Sequence, residues 1–386
     1  MHIILFTHPS FTQHQSMPRY AQLLLDGMLQ RGHSVEVWTA KARFVKLPLP
    51  ANCKKWLGYI DQFVVFPMEV KLRLKKQNTE TLFVFTDHAL GPWIPLVKGR
   101  KHIIHCHDFL AQRSAQGLIS ENVTGWSGQL YQVFIRWGYR KGTNFISISK
   151  NTQEDLHYFL GRMPANSFLV YNGLNQLFVP SDGVKVRELL TKQLGIDLSK
   201  GYLLHVGGNQ YYKNRKGVLE LYTAWRKLSN HCLPLLMIGA TPTTELDRVR
   251  AISPYKNDIY FLDKIEDGSL RLAYQGASLF LFPSLAEGFG WPIAEAMASG
   301  CPVLTTNAPP MSEVAGNAAY LIPIKPIDEQ ASETWATNAA PIIEKAIILK
   351  DVEKAEFIKI GLENTLRFDP NKMLDDIEVI YKMIEE

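Results

Sequence analysis

Two glutamates with seven residues between them frame the most chemically loaded stretch of the chain. It runs Pro283-Ser284-Leu285-Ala286-Glu287-Gly288-Phe289-Gly290-Trp291-Pro292-Ile293-Ala294-Glu295, and on through Ser299-Gly300-Cys301-Pro302-Val303. Ionised carboxylates only accept hydrogen bonds, so Glu287 and Glu295 suit vicinal hydroxyls. Gly288 and Gly290 allow a ligand close to the backbone. Pro292 suits a first helical turn and Gly300 the position just past the last one. Amides at such a helix start can bind anions or hydroxyl oxygens. A solvated helix with capping glutamates is the plainer reading of an isolated pair. A dinucleotide fingerprint is excluded, because Ile293 stands where a third Gly or Ala is needed.

A second constellation is Val206-Gly207-Gly208-Asn209-Gln210-Tyr211-Tyr212-Lys213-Asn214-Arg215-Lys216-Gly217. Glycines including Gly208, backbone amides and the cations Lys213, Arg215 and Lys216 suit a diphosphate, with the helix start adding its positive end. A solvated basic turn is the alternative. No GxxxxGK[ST] is present, so this is not a nucleoside-triphosphate loop of that type. A third candidate is Lys101-His102-Ile103-Ile104-His105-Cys106-His107-Asp108, where a histidine at a strand end beside an aspartate can be oriented and tuned. His105 and His107 share a face, as a metal pair would, only if the strand continues. A fourth is the loop from Thr7 to Tyr20, with Ser16 and Met17 at its turn and no glycine between positions 1 and 26.

These residues must be held by something. Residues 2–7, 35–39, 82–86, 102–106 and 145–148 are short apolar runs that read as strands. Amphipathic stretches at 18–29 and 152–160 read as helices. The rhythm restarts with strands at 202–206, 233–238, 259–262, 279–282 and 302–305 and a helix at 218–228. This is the β-α-β pattern of parallel sheets covered on both faces. The expected architecture is α/β, with two doubly wound blocks: 1–182, and 183–366 after the linker-like Val179-Pro180-Ser181-Asp182-Gly183. Residues 367–386 form a terminal helix with Asp369 as N-cap and Leu374, Ile377, Tyr381 and Ile384 on one face. It must dock somewhere, in the cleft between the blocks or back on the first. Ligands of such sheets bind at the carboxyl ends of the strands, where these four constellations fall.

Composition sets outer limits. The chain has 386 residues, 46% hydrophobic and 20% charged, which excludes general disorder. A net charge of +5 is mild and no dedicated nucleic-acid binder is expected. Cys53, Cys106, Cys232 and Cys301 are far apart, giving neither zinc knuckle nor disulfide scaffold. No apolar run near 20 residues and no signal peptide is found, so the expected compartment is the cytoplasm. Between 41 and 76, nine Lys or Arg interleave with Trp56, Leu57, Tyr59, Phe63 and Phe66 against only Asp61 and Glu69. That pattern suits an anionic membrane face holding a lipid-linked molecule, so peripheral attachment at the inner face of a membrane stays an alternative to a merely solvated surface. The stripe Leu130, Phe134, Trp137 has helical spacing and reads as core.

The Glu287–Glu295 stretch resembles the glutamate–seven residues–glutamate motif of glycosyltransferase family 4, the retaining group 1 enzymes of the GT-B fold. Phe261-Leu262-Asp263, Leu270 to Tyr274, Leu281-Phe282-Pro283-Ser284 and Glu313-Val314-Ala315-Gly316 resemble the same family, in family order. The resemblance spans nearly the whole chain and is strongest from about 203 to 320. It implies two Rossmann-like domains facing across a cleft and a nucleotide-diphosphate sugar as donor. Glu295 would hold the donor ribose, and Glu287 the transferred sugar with help from Gly288, Phe289 and Gly290. Arg215 and Lys216 would form the diphosphate pair, with Lys213 as the competing register and Gly208 nearby. His107 would contact the donor sugar or the reacting centre. Many members have a glycine pair in the loop where this chain has Ser16 and Met17; the resemblance puts these two on the acceptor side, and a polar connecting loop is the alternative. Tyr171-Asn172-Gly173-Leu174-Asn175-Gln176 resembles the family's stretch before the interdomain linker and reads as architectural.

The implied reaction moves a hexose-type sugar, with retention, to a hydroxyl of a glycan, a polysaccharide precursor or a lipid-linked sugar. It requires neither metal nor cofactor, and the leaving phosphate accepts the acceptor's proton. The glutamates are not a glycosidase pair, since hydrolysis needs both carboxyls flanking one bond. The rivals are a GT-B phosphorylase or epimerase and a non-catalytic carbohydrate-binding scaffold. Base, sugar, acceptor and oligomeric state are not legible.

Overall fold

The computed structural model describes residues 1–12, 16–174 and 177–385; the side chains of residues 16, 51 and 52 also lie outside the description. The chain divides into two units, Met1–Gly173 with Asn371–Glu386, and Leu174–Pro370.

In the first unit β1 (His2–Phe6), β2 (Ser34–Trp38), β3 (Leu82–Phe85), β4 (His102–Cys106), β5 (Asn144–Ser147) and β6 (Asn166–Leu169) form one sheet in the order β2-β1-β3-β4-β5-β6. All pairings are parallel. Alternate residues leave opposite faces, as the pleat demands. Ile4, Phe6, Phe83, Phe85 and Ile104 build one core with Trp93 and Tyr139. Ile3, Leu5, Val84, Ile103 and Ile146 build the other. Both faces are covered, which is why these strands read as unbroken apolar runs.

The second core is closed by the helix Pro370–Glu385, which packs Leu374, Ile377 and Tyr381 beside Tyr20 and Leu24 of the helix Ser16–Gln30. Full burial of such side chains is worth roughly 1.5–3 kcal/mol each. Gly27 lets the two helices approach: a Cβ there would lie 2.6 Å from the Leu374 methyls. Between them His105 takes Tyr20 Oη at 2.7 Å on Nδ1 and Tyr381 Oη at 2.8 Å on Nε2. His33 Nε2 also meets Glu378 Oε1 at 2.9 Å.

In the second unit β7 (Leu203–Gly207), β8 (Leu235–Gly239), β9 (Ile259–Leu262), β10 (Leu279–Phe282), β11 (Val303–Thr306) and β12 (Tyr320–Ile322) form the sheet β12-β11-β10-β7-β8-β9, again all parallel. Leu203, Met237, Leu281 and Leu304 pack on Val218, Tyr222 and Trp225 of the helix Arg215–Leu228 and on Trp335 and Ile343 of the helix Glu329–Ile347.

Two sequence expectations fail here. β6 and β12 were not foreseen; both are short edge strands with mixed burial, so neither carries a strong apolar pattern. The Leu130, Phe134, Trp137 stripe is not core. It lies on the helix Trp126–Tyr139 and is exposed, whereas Ile135 and Tyr139 face inward.

Candidate active site

β7 pairs with β10 on one side and β8 on the other, so the loops that follow these strands are neighbours at the carboxyl edge of the second sheet. Asn214 knits them together. Its left-handed backbone (φ 50°, ψ 42°) ends the short turn Tyr211–Lys213 and opens the helix Arg215–Leu228. Its Oδ1 accepts from Gly217 N at 3.1 Å, and its Nδ2 donates to Pro283 O at 2.8 Å. Leu285 N donates to Tyr212 O at 2.8 Å.

This framing aims Lys213 at Glu287. Lys213 Nζ donates to Oε1 at 2.8 Å and to Oε2 at 3.0 Å. Ser284 Oγ donates to Glu287 Oε1 at 2.8 Å. The Lys213 ammonium also stands 5.2 Å from the Phe282 ring centre, within range of a cation–π attraction. Gly290 has φ 107° and precedes the helix Trp291–Ala298, with Pro292 in its first turn. Phe289 is buried edge-on against Trp291 and Phe368. Gly288 follows Glu287 in the same loop. On the helix, Glu295 Oε2 accepts from Tyr274 Oη at 3.0 Å. Burial, and then the Glu295 charge, push the Tyr274 phenol well above its ordinary value, so it stays a donor. Gly208 lies beyond β7, where an added Cβ would meet the Gln210 amide at 2.5 Å.

The other two cations of the basic loop sit elsewhere. Arg215 is buried. Its Nη1 donates to Asn209 Oδ1 and to Ala240 O, the latter at 2.8 Å, and its guanidinium lies 5.3 Å from the Phe261 ring centre. It therefore braces the loops after β7 and β8 from within, and burial lowers its pKa. Lys216 does not join the Glu287 group. One residue further into the helix it turns outward, with Nζ 3.8 Å from both Glu245 and Glu329. Helix geometry thus gives Arg215 and Lys216 different surroundings, and Lys213, the residue that competes with Arg215 as the partner of Lys216, is the cation beside Glu287. Asn214, Ser284 and Tyr274 were missed. The first had a legible signal, an Asn immediately before a helix, and the second follows a strand end.

Below the loop, His205 is fully buried in β7 with Nδ1 donating to Leu281 O at 2.9 Å. Burial, with the nearby Arg215 and Lys213 charges, outweighs that hydrogen bond and pulls its pKa down to about 3, so the ring is neutral.

The first unit carries its own cavity of about 860 Å³, with His8, Met17, Tyr59, Asp87, His107 and Tyr131 among its lining residues. His107 lies just beyond β4, donates Nε2–H to Thr86 O at 2.9 Å and meets the Tyr20 ring at 4.4 Å. Burial lowers its pKa, leaving neutral imidazole with Nδ1 as its acceptor nitrogen. Asp87, at the end of β3, was also missed. His8 Nε2 lies 2.8 Å from its Oδ2 and His88 Nδ1 3.0 Å from its Oδ1. Burial opposes its ionisation, yet these two partners hold the carboxyl well below the usual range. Asp108, by contrast, is raised by burial. His105 does not share this cavity; it is locked between two tyrosines, so the His105–His107 pair forms no metal site. Ser16 opens the helix Ser16–Gln30, and its side chain lies outside the described residues, as do Gln13, His14, Gln15, Asn175 and Gln176. Among the described residues no group of three or more His, Cys, Asp or Glu could hold a metal ion.

Residues 200–337, which hold every side chain of the Lys213–Glu287 group, match the family model described as Glycosyl transferases group 1. The O-antigen chain mannosyltransferase B of Escherichia coli is 30% identical over 131 residues, 33% of this chain and 34% of that one. The O-antigen chain mannosyltransferase RfbU of Salmonella typhimurium is 27% identical over 171 residues, 44% and 43% of the respective chains. This chain thus aligns with less than half the length of either. The crystal structure of Anabaena HepE in complex with UDP and glucose superposes with a TM-score of 0.71, covering 99% of this chain and all of that one at 16% identity. Two six-stranded parallel sheets flanked by helices are the GT-B architecture.

Proposed function

We propose, taking as premise that the segment 200–337 is a group 1 glycosyl transferase domain, that this chain transfers a sugar from a nucleotide-diphosphate sugar to a hydroxyl of an acceptor. The observation that carries the reading is the Lys213–Glu287 ion pair, formed between two strand-end loops inside that segment. A nucleoside diphosphate leaves with negative charge growing on its β-phosphate. Lys213 is the cation held at the loop that would receive it, and the N-terminus of the helix Arg215–Leu228 adds its partial positive charge. Glu287 would accept hydroxyls of the transferred sugar, and the amides around Phe289 and Gly290 would steady them. Glu295, oriented by Tyr274, would accept the two ribose hydroxyls. Arg215 would position this site through the loops that its Nη1 braces, and its Nε and Nη2 would remain to meet the diphosphate.

The acceptor, a glycan, polysaccharide precursor or lipid-linked sugar, belongs in this reading to the cavity of the first unit. There the neutral His107 would orient its hydroxyl or meet the reacting centre, and Met17 would line the pocket with Ser16 close in sequence. Placing both substrates supplies the entropic part of catalysis. We further assign the chain to family 4, with retention of configuration, a hexose-type sugar, no metal requirement and no cofactor. The family resemblance supports these finer points, the leaving phosphate itself taking the acceptor's proton. The relatives' O-antigen roles support a place in polysaccharide assembly, and a cytoplasmic site of action follows from the same reading.

Thermal unfolding with UDP-, GDP- and ADP-sugars tests the donor half: a ligand at 100 times its Kd adds about 2.7 kcal/mol. Stabilisation by one of the three, together with release of its nucleoside diphosphate when acceptor is added, is the expected result. No stabilisation by any of them would remove the reading. Binding without turnover would point to a scaffold, and absorbance near 400 nm from a lysine Schiff base to a phosphorylase.

A further inference from the structure

The first unit exposes a continuous apolar face that its own fold does not need. Trp56, Ile60, Val64, Met68 and Leu72 recur every four residues and are all exposed, Met68 by 64% and Leu72 by 65%. They run along the helix Ala51–Ile60, the segment Asp61–Val65 and the helix Phe66–Leu74. Asp61–Val65 is hydrogen-bonded in the wider i to i+5 pattern, and its larger turn keeps a four-residue spacing closer to one face than an unbroken α-helix would. A second exposed stripe, Trp126, Leu130, Val133, Phe134 and Trp137, lies on the helix Trp126–Tyr139. Aromatic rings join the two. Phe63 meets Phe134 at 5.4 Å, Phe134 stacks on Trp137 at 5.9 Å, and Tyr59 stacks on Tyr131 at 5.5 Å. Apolar patches of this extent mark interaction sites.

The charge around the face selects the partner. Both acids of residues 41–76 are consumed internally. Asp61 is buried and accepts the backbone N–H groups of Arg43, Phe44 and Val45 at 3.0–3.1 Å. Glu69 pairs with the Arg43 side chain. Lys41, Lys46, Lys54, Lys55, Lys71, Lys75 and Lys76 are exposed, and among the described residues none of them lies in an ion pair. Exposed aromatics and aliphatics rimmed by lysine are the composition of a surface that rests in a headgroup layer. No helix among the described residues is long and apolar enough to cross a membrane.

We propose that this face docks on an anionic phospholipid bilayer, with Trp56, Met68, Leu72 and Trp137 entering the headgroup boundary and the lysines meeting lipid phosphates. Tyr59, Phe63 and Tyr131 of the ring chain, with Lys54 and Lys55, also line the 860 Å³ cavity. The docked face is thus continuous with that cavity. Insofar as the sugar-transfer reading holds, its acceptor is a membrane-borne amphiphile rather than a free glycan.

The test is co-sedimentation with vesicles of phosphatidylcholine alone and of phosphatidylcholine with phosphatidylglycerol, alongside tryptophan emission. The expected result is at least tenfold stronger partitioning onto the anionic vesicles, with a blue shift, weakened by 0.5 M salt. The variant Lys71→Glu/Lys75→Glu/Lys76→Glu should fall to the phosphatidylcholine level. Met68→Ser/Leu72→Ser/Trp137→Ser should lose at least tenfold while keeping the wild-type melting curve, since all three side chains are exposed. Equal partitioning onto both vesicle types, or serine variants that bind like wild type, would overturn the proposal. So would a self-association that the same serines dissolve, which would make the face an interface between copies. Nucleoside-diphosphate stabilisation is read on the same samples, so loss of the donor reading and loss of the docking reading are separable.

Discussion

Lys213 Nζ donates to both carboxylate oxygens of Glu287, at 2.8 and 3.0 Å, and so locks the loop after β7 to the loop after β10. Both side chains are mostly shielded from water, 16% and 8% exposed. Removing one partner strands the other. Glu287→Ala should therefore cost roughly 3 kcal/mol of stability, more than the Lys213→Ala/Glu287→Ala double variant. Chemical unfolding of the four proteins reads this directly. Additive losses would mean that the pair contributes no coupling.

Activity should discriminate between neighbouring lysines. Lys213→Ala should lower kcat by about 10²- to 10³-fold, the usual effect of losing a donor aimed at developing charge. Lys216→Ala should change kcat/KM by less than about threefold, because its half-exposed ammonium faces Glu245 and Glu329. Steady-state kinetics with the donor found by thermal unfolding decides. The reverse ranking would return the anion site to Lys216.

Acid should loosen both units through buried histidines. Burial pulls His105 and His205 to about 3, below the ~6.5 of an unfolded histidine. The unfolded chain then binds more protons, so this stability is whole above pH 6.5 and drains as pH falls toward 3. At roughly 1.4 kcal/mol per pH unit each histidine gives up ~2 kcal/mol by pH 5. His105→Gln, which can still bond both tyrosines, should flatten the slope for the first unit. Urea midpoints at pH 7.5 and pH 5 measure it, and an unchanged slope would refute the assignment.

Gly239 is irreplaceable on backbone grounds. It has φ 147°, pairs with Gly207 across β7 and β8, and an added Cβ would lie 2.0 Å from Gly207 O. Gly239→Ala should destabilise by roughly 2–4 kcal/mol and weaken donor binding with it, since Ala240 O anchors Arg215. A variant melting within 1 °C of wild type would refute the clash.

Much of this architecture is readable from strand chemistry alone. The buried parallel strands are apolar on both faces, so His102–Cys106 and Leu279–Phe282 stand out with their exact limits. Two of the four edge strands, Asn166–Leu169 and Tyr320–Ile322, are short and only partly buried, carry no such run and passed unseen. Periodicity shows that a helix is two-faced but not what its apolar face meets, hence the misreading of Leu130, Phe134 and Trp137. One backbone angle that spacing does not show divides the basic loop: with Asn214 left-handed, Lys213 lies in the turn before it and Arg215 and Lys216 in the helix after it. Asp87 was invisible because its partners His8 and His88 converge on it only after β1 and β3 pair.

The helix Pro370–Glu385 belongs with residues translated long before it. A ribosome emits the six strands of the first sheet, then the whole of Leu174–Pro370, before this last element appears. Until then Ile3, Leu5 and Val84 lack the cover of Leu374 and Ile377, and His105 waits for Tyr381. A stop codon just ahead of Pro370 would therefore uncover the core of residues 1–173, far from the truncation in sequence.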